Sequence, residues 1–185
     1  MLHPVPAPIS AATTTAFCAT VAAATPLAVR YQPLTGKPEL ECFSIVPEHV
    51  ASNGGEQLNG WAIWEVPGVF IEAEFHAVWR NGAGELIDLT PRAIATERIT
   101  FLPDPNRKYL GRQVDNVRKA LVNDIDVTRY LRGASRTFHI KNAGDLANQH
   151  GTIELSTVAY LELRKVEKEM AKLYLRLCRR YGRPD

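Results

Sequence analysis

Residues 69–91 read VFIEAEFHAVWRNGAGELIDLTP. The first half alternates. Glu72, Glu74, His76 and Val78 share one face, and Ala73, Phe75, Ala77 and Trp79 share the other. That period of two predicts a strand over 69–80. Asn81-Gly82-Ala83-Gly84 is a hairpin turn signal, and 85–90 is the return strand, with Leu86 and Asp88 on one face. The hairpin therefore carries His76 on one strand and Asp88 on the next. Packing alone needs neither side chain.

Further strands are predicted on both sides. GWAIWEV (60–66) is aromatic and β-branched, Pro67-Gly68 is a turn, and RITFLPD (98–104) is another strand. Upstream, Cys42, Ile45 and His49 recur at roughly helical spacing, and Gly54-Gly55 is a stop. Pro47 fits a first helical turn and fits an interior badly. Either a helix starts near Cys42 to Ile45, or a short turn precedes one starting at Pro47. Both readings put Cys42 at or just before a helix N-terminus. Residues 112–132 carry helical spacing in Val114, Val117, Leu121 and Ile125, with a break near Asp124 to Asp126. FHIKNAGDLAN (138–148) is expected as loop. In the last helix Leu163, Val166, Met170, Leu173 and Leu177 step by 3, 4, 3 and 4, a heptad seam fit to dock on the body or on a protein partner.

The bulk numbers bound the class. The chain has 185 residues, 45% of them hydrophobic, which is enough for one domain with a core. A formal charge of +2 makes no case for nucleic acid. No apolar run reaches the roughly eighteen residues of a membrane span. Residues 7–29 are mostly Ala and Thr with no basic start, so 1–29 is expected to be a flexible leader, 30–155 the core, and 156–185 the terminal amphipathic helix. Three widely spaced cysteines are a poor disulfide framework and suit a reducing, cytoplasmic compartment.

A histidine with a nearby aspartate is what a cysteine nucleophile needs. The imidazole takes the thiol proton and later delivers one to the leaving group, while the carboxylate orients the ring. A helix N-terminus favours a thiolate. Cys18 falls in the leader and Cys178 in the basic terminal helix, so Cys42 is the nucleophile expected, with His76 as base and Asp88 as the orienting acid.

This order of Cys42, His76 in FHAVW and Asp88 in LIDLTP resembles the papain-like and transglutaminase-like superfamily, including its arylamine acetyltransferase branch. The likeness covers about residues 38–91. It implies an α+β core with a helix packed on an antiparallel sheet, and the same three catalytic residues. It implies thiol-dependent acyl transfer or amide hydrolysis on a peptide, amide or acyl substrate in a cleft, with no cofactor and no metal. Phe43 matches the aromatic that follows the nucleophile in many members. Papain-like members carry an upstream glutamine for the oxyanion; Gln32, ten residues before Cys42, is not carried over to that role, and backbone N–H groups near Cys42 are the alternative. The block GWAIWEVPG, IEAEFHAVW, GELIDLTP and FLPD also resembles an uncharacterised family of bacterial and phage proteins. RRYGRPD resembles the lead-in to a SecA-type zinc knuckle, but no zinc is assigned on it.

Two other readings stay open. His49, Glu74, His76 and Asp88 with Cys42 are ligand types for a metal, although no HExxH occurs. Alternatively the chain is a non-catalytic binding protein with a degenerate fold. Trp61, Trp64 and Trp79 would then line a groove, and the basic helix, from Arg164 to Arg180, would hold a partner.

Overall fold

The computed structural model describes residues 1–94, 96–148 and 153–182. Its elements, in order, are β1 (Val5–Pro6), α1 (Ala12–Val21), β2 (Leu27–Tyr31), α2 (Cys42–Asn53), β3 (Glu56–Val66) and β4 (Phe70–Arg80). They continue with β5 (Leu86–Asp88), β6 (Arg98–Pro103), β7 (Val117–Ala120), α3 (Ile125–Lys141), a single 3-10 turn (Gly144–Asn148) and α4 (Thr157–Tyr181).

The β3–β4 hairpin is the spine, paired along its full length from Glu56↔Arg80 to Val66↔Phe70. The Pro67-Gly68 turn closes it, with Gly68 at φ 73°. From β3 the ladder passes to β6, then β2, then β5, and back to β4, so five strands close into a barrel. Every contact around it is antiparallel except β2 with β5, which is parallel. β1 lengthens the free edge of β3, and β7 that of β4. Side chains from all five strands meet inside: Val29, Ala62, Trp64, Val78, Ile99 and Phe101, with Leu86 against them. Residues of opposite parity face outward under helices. Trp61, Ile63, Ala73 and Phe75 pack on Phe17 and Cys18 of α1. Ala77 packs on Cys42 and Val46 of α2, and Ile87 and Leu89 pack on Ile45.

This closed barrel replaces the papain-like or transglutaminase-like core expected from the resemblance. A helix does pack on the strands, but the sheet is a barrel with a parallel seam rather than part of a two-lobed architecture. Closure comes from β2, which falls at the end of the stretch expected as a loose leader. That stretch is built into the fold. It supplies β1, α1 and most of β2, and Phe17 is 1% exposed. Residues 112–132 also differ from the helix expected there. Val117–Ala120 is a strand bonded to Phe70–Ala73, and α3 starts at Ile125. The helical spacing there marks no buried face, because Ile125 is 66% exposed. The segment expected as loop completes α3 and forms the 3-10 turn.

α3 and α4 make an antiparallel pair against the far end of the β3–β4 ribbon. Leu163, Val166, Leu173 and Leu177 of the seam are buried. Leu177 meets Val66, Phe70, Val127 and Leu131, while Leu163 and Val166 meet Ile140. Residues 183–185, the end of the RRYGRPD stretch, lie outside the described residues. Among the described residues no helix is long and apolar enough to cross a membrane.

Candidate active site

β4 and β5 pair only at Arg80↔Leu86 and Trp79↔Ile87. Past that point β5 is held on its other side, by β2 at Tyr31↔Asp88. The first turn of α2 lies against this short seam. His76 and Asp88 belong to the inward-facing parity, two residues apart in register, so their side chains reach each other diagonally. The His76 Nε2–H donates to Asp88 Oδ1 at 2.9 Å, and both residues are fully buried. The backbone N–H of Thr90 donates to the same oxygen at 3.1 Å. With Nε2 engaged by the carboxylate, Nδ1 is the nitrogen left for a thiol.

Cys42 is the first residue of α2 and is 3% exposed. Its thiol lies beside the imidazole, close enough for its charge to act on the ring. Burial alone would discharge His76. The carboxylate of Asp88, and then the thiolate of Cys42, outweigh it and push the imidazole up to about 10. Asp88 answers in the opposite direction. Burial works against its charge, but His76, Arg92 and the Thr90 N–H hold it below the usual carboxylate range. The arrangement therefore holds His76 as an imidazolium, backed by the Asp88 carboxylate and with the Cys42 sulfur beside it. The other cysteines are not placed for this. Burial pushes Cys18 up to about 11, and Cys178 lies half-buried between α4 and the barrel end.

Arg92 completes the cluster, and the sequence reading did not identify it. Its Nη1 bonds both Glu74 oxygens, at 3.2 and 3.0 Å, and its Nε faces Asp88 Oδ2 at 3.5 Å. Nη2 is 3.2 Å from Nδ1 of His76 and 3.3 Å from Nε2. A donor in line with one ring nitrogen could not be equidistant from both, so the guanidinium lies against the ring. The other face of the guanidinium region meets Trp64, 5.0 Å from the ring centroid. Arg92 follows Asp88 by four residues in TPRA, where no periodicity marks it.

The approach to Cys42 is strained. Leu40 has φ 62°, which is costly for a residue with a branched side chain, and its N–H bonds Pro91 O at 3.2 Å. That bond ties the lead-in of α2 to the loop carrying Arg92. Beside Cys42 opens a cleft of about 530 Å3, walled by Phe43, Phe75 and Tyr109 and rimmed by Glu39, Glu41 and Gln113. Tyr109 stacks on Phe43 at 4.1 Å and 9°. The first N–H groups of α2, on Cys42 and Phe43, have no carbonyl one turn back to bond and point out of the helix start.

The remaining candidates are dispersed. Gln32 is exposed and accepts from Arg30 at 2.9 Å. His49 sits edge-on to Trp79 at 4.5 Å, on the outer side of the barrel. Among the described residues no three such side chains converge as metal ligands do. Trp61 and Trp64 are buried in the core, although Trp64 also borders a small cleft with Glu72 and Arg92, and each indole N–H is bonded, to Asp104 and to Glu74.

No family model, no curated protein and no solved structure matches the chain.

Proposed function

We propose that the protein is a thiol-dependent acyl transferase or amide hydrolase using Cys42, His76 and Asp88. The observation that carries this reading is the buried His76–Asp88 bond at 2.9 Å with a helix-start cysteine beside the same ring. The Cys42 thiolate attacks the substrate carbonyl carbon and a C–S bond forms. Negative charge moves to the carbonyl oxygen, where the N–H groups and positive dipole end of α2 stabilise it. Collapse expels the leaving group, which takes the proton held on His76. The thioester is then resolved by water or by an amine, with His76 accepting the proton of the attacking group. Asp88 keeps the ring oriented. Arg92 is a positioning residue that locks Asp88 and Glu74. A free thiolate also needs a reducing setting, which favours the cytoplasm.

The test is site-resolved alkylation by iodoacetamide at pH 7, with Cys18 and Cys178 as internal controls. Cys42 is expected to react at least about tenfold faster than either control, and His76→Gln and Asp88→Asn to remove most of that advantage. Incubation with 4-nitrophenyl acetate should leave an acetyl group on Cys42 of the unaltered chain. Equal rates at the three cysteines, with no acyl adduct, would defeat the proposal.

A further inference from the structure

Every charged side chain lining the cleft beside Cys42 is a carboxylate: Glu39, Glu41 and Glu74. Glu74 is neutralised by Arg92 at 3.0 Å. Glu39 and Glu41 are exposed, and among the described residues neither is in an ion pair. The rest of the lining is largely aromatic. Tyr109 lies flat on Phe43, and Phe43 meets Phe75 at 5.0 Å between centroids. Carboxylates outside any ion pair beside stacked aromatic rings are surroundings that hold an organic cation, and Phe75 already carries the Arg107 guanidinium over its ring at 5.4 Å, which leaves Phe43 and Tyr109 for a further one. The Tyr109 phenol is raised by burial, then by Glu41 and Cys42, so rim, wall and nucleophile act within one small space.

We infer that this cleft is a subsite for a basic group, the ammonium or guanidinium of a lysine or arginine side chain close to the carbonyl that Cys42 attacks. The inference rests on the acyl-transfer reading of Cys42, but its test reads the two apart. Three methanethiosulfonates of similar size are used: methyl (neutral), 2-aminoethyl (cationic) and 2-sulfonatoethyl (anionic). In each case the Cys42 sulfur attacks the sulfenyl sulfur, a disulfide forms, the S–SO2 bond breaks and methanesulfinate leaves. Rates at Cys42 are read by mass spectrometry and divided by each reagent's rate with glutathione.

The normalised cation-to-anion ratio is expected to exceed about ten at low salt. It should drop at least about fivefold in a Glu39→Gln/Glu41→Gln variant, since two charges leave the rim. In the unaltered chain it should also fall towards one at 0.5 M salt, where the screening length is only a few ångströms. Both substituted positions are exposed, and the salt series needs no variant. A ratio near or below one, or one insensitive to both the substitutions and salt, would overturn the subsite while leaving the catalytic reading intact. A neutral reagent no faster at Cys42 than at Cys178, with the ratio still high, would sink the catalytic reading and keep the cation site. No modification at Cys42 by any of the three would sink both.

Discussion

Asp88 is fully buried and faces two cations, the His76 imidazolium and the Arg92 guanidinium. Its Oδ1 is bonded twice, while Oδ2 and the Arg92 Nε oppose each other at 3.5 Å without a hydrogen bond. Removing the carboxylate strands the His76 imidazolium and leaves Arg92 with Glu74 as its one counter-charge. Asp88→Ala is therefore expected to cost about 3–5 kcal/mol in urea unfolding, the range for breaking a buried ion pair from one side. Asp88→Asn, which keeps an acceptor, should cost less. His76 gives a pH signature. Its folded value of about 10 lies above the ordinary 6.5, so the stability it contributes is complete below about 6.5 and is lost as pH rises through 10. The gap in urea midpoint between the unaltered chain and His76→Gln should shrink steadily from pH 6.5 to 10. A gap constant across that range would mean that His76 is not held as an imidazolium. The His76 and Asp88 positions were legible as chemistry because polar residues on a strand of alternating pattern stand out. Their face was legible in part. Glu72, Glu74 and His76 together suggest an open face; Glu72 and Glu74 are half-buried and border clefts, paired with Arg118 and Arg92, while His76 is fully buried against Asp88.

At the scale of elements, α2 shows how a locally awkward sequence can still be a helix. Pro47 sits in its interior and has no N–H for the Phe43 carbonyl one turn back. Ile45 and Val46, both buried on the barrel, hold the helix in place, and Gly54 ends it. Tertiary burial overrides propensity there, and local rules alone left two starting points open. α4 is the opposite case. Its seam was readable because a 3, 4, 3, 4 spacing held from Leu163 to Leu177 is hard to produce by chance. Arg176 adds a paired contact to Asp126 at 2.9 Å through both Nε and Nη2, and Arg180 and Tyr181 engage Asp124, the cap of α3. Burial outweighs these ties, whose arginines are exposed and whose carboxylates are largely buried. Leu177, at 0% exposure, contacts β3, β4 and α3 together. Leu177→Ala is expected to lower unfolding stability by about 2–5 kcal/mol, whereas Arg176→Ala should cost under about 1 kcal/mol. Urea titration of both variants checks the order. If the two effects were equal, α4 would be fastened by its charges rather than by its seam.

The whole molecule depends on a segment whose composition hides its role. Ala and Thr dominate residues 7–29, and neither the mild hydrophobicity nor the absence of charge distinguishes a loose leader from a buried one. What decides is non-local. Phe17 and Cys18 cover the outer face of β3 and β4, Thr100 Oγ1 donates to Ala7 O at 2.6 Å, and β2 joins β6 to β5. The last of these closes the barrel, and its parallel pairing with a three-residue strand leaves almost no local pattern to find. The same pairing positions Asp88, because Tyr31 lies opposite it in the ladder and the Gln32 N–H bonds its carbonyl at 2.9 Å. Two shortened chains separate these roles. One beginning at residue 26 keeps β2 and should retain the barrel. It bares the Trp61, Ile63 and Phe75 face, so it should bind 8-anilinonaphthalene-1-sulfonate and unfold at lower urea. One beginning at residue 33 loses β2. It should show no cooperative unfolding, and Cys42 should alkylate at the same rate as Cys178, because the wall that holds Asp88 against His76 has gone. A cooperative transition in the second chain, with Cys42 still reacting faster than Cys178, would show that the β3–β4–β5 hairpins assemble the three residues without a closed barrel.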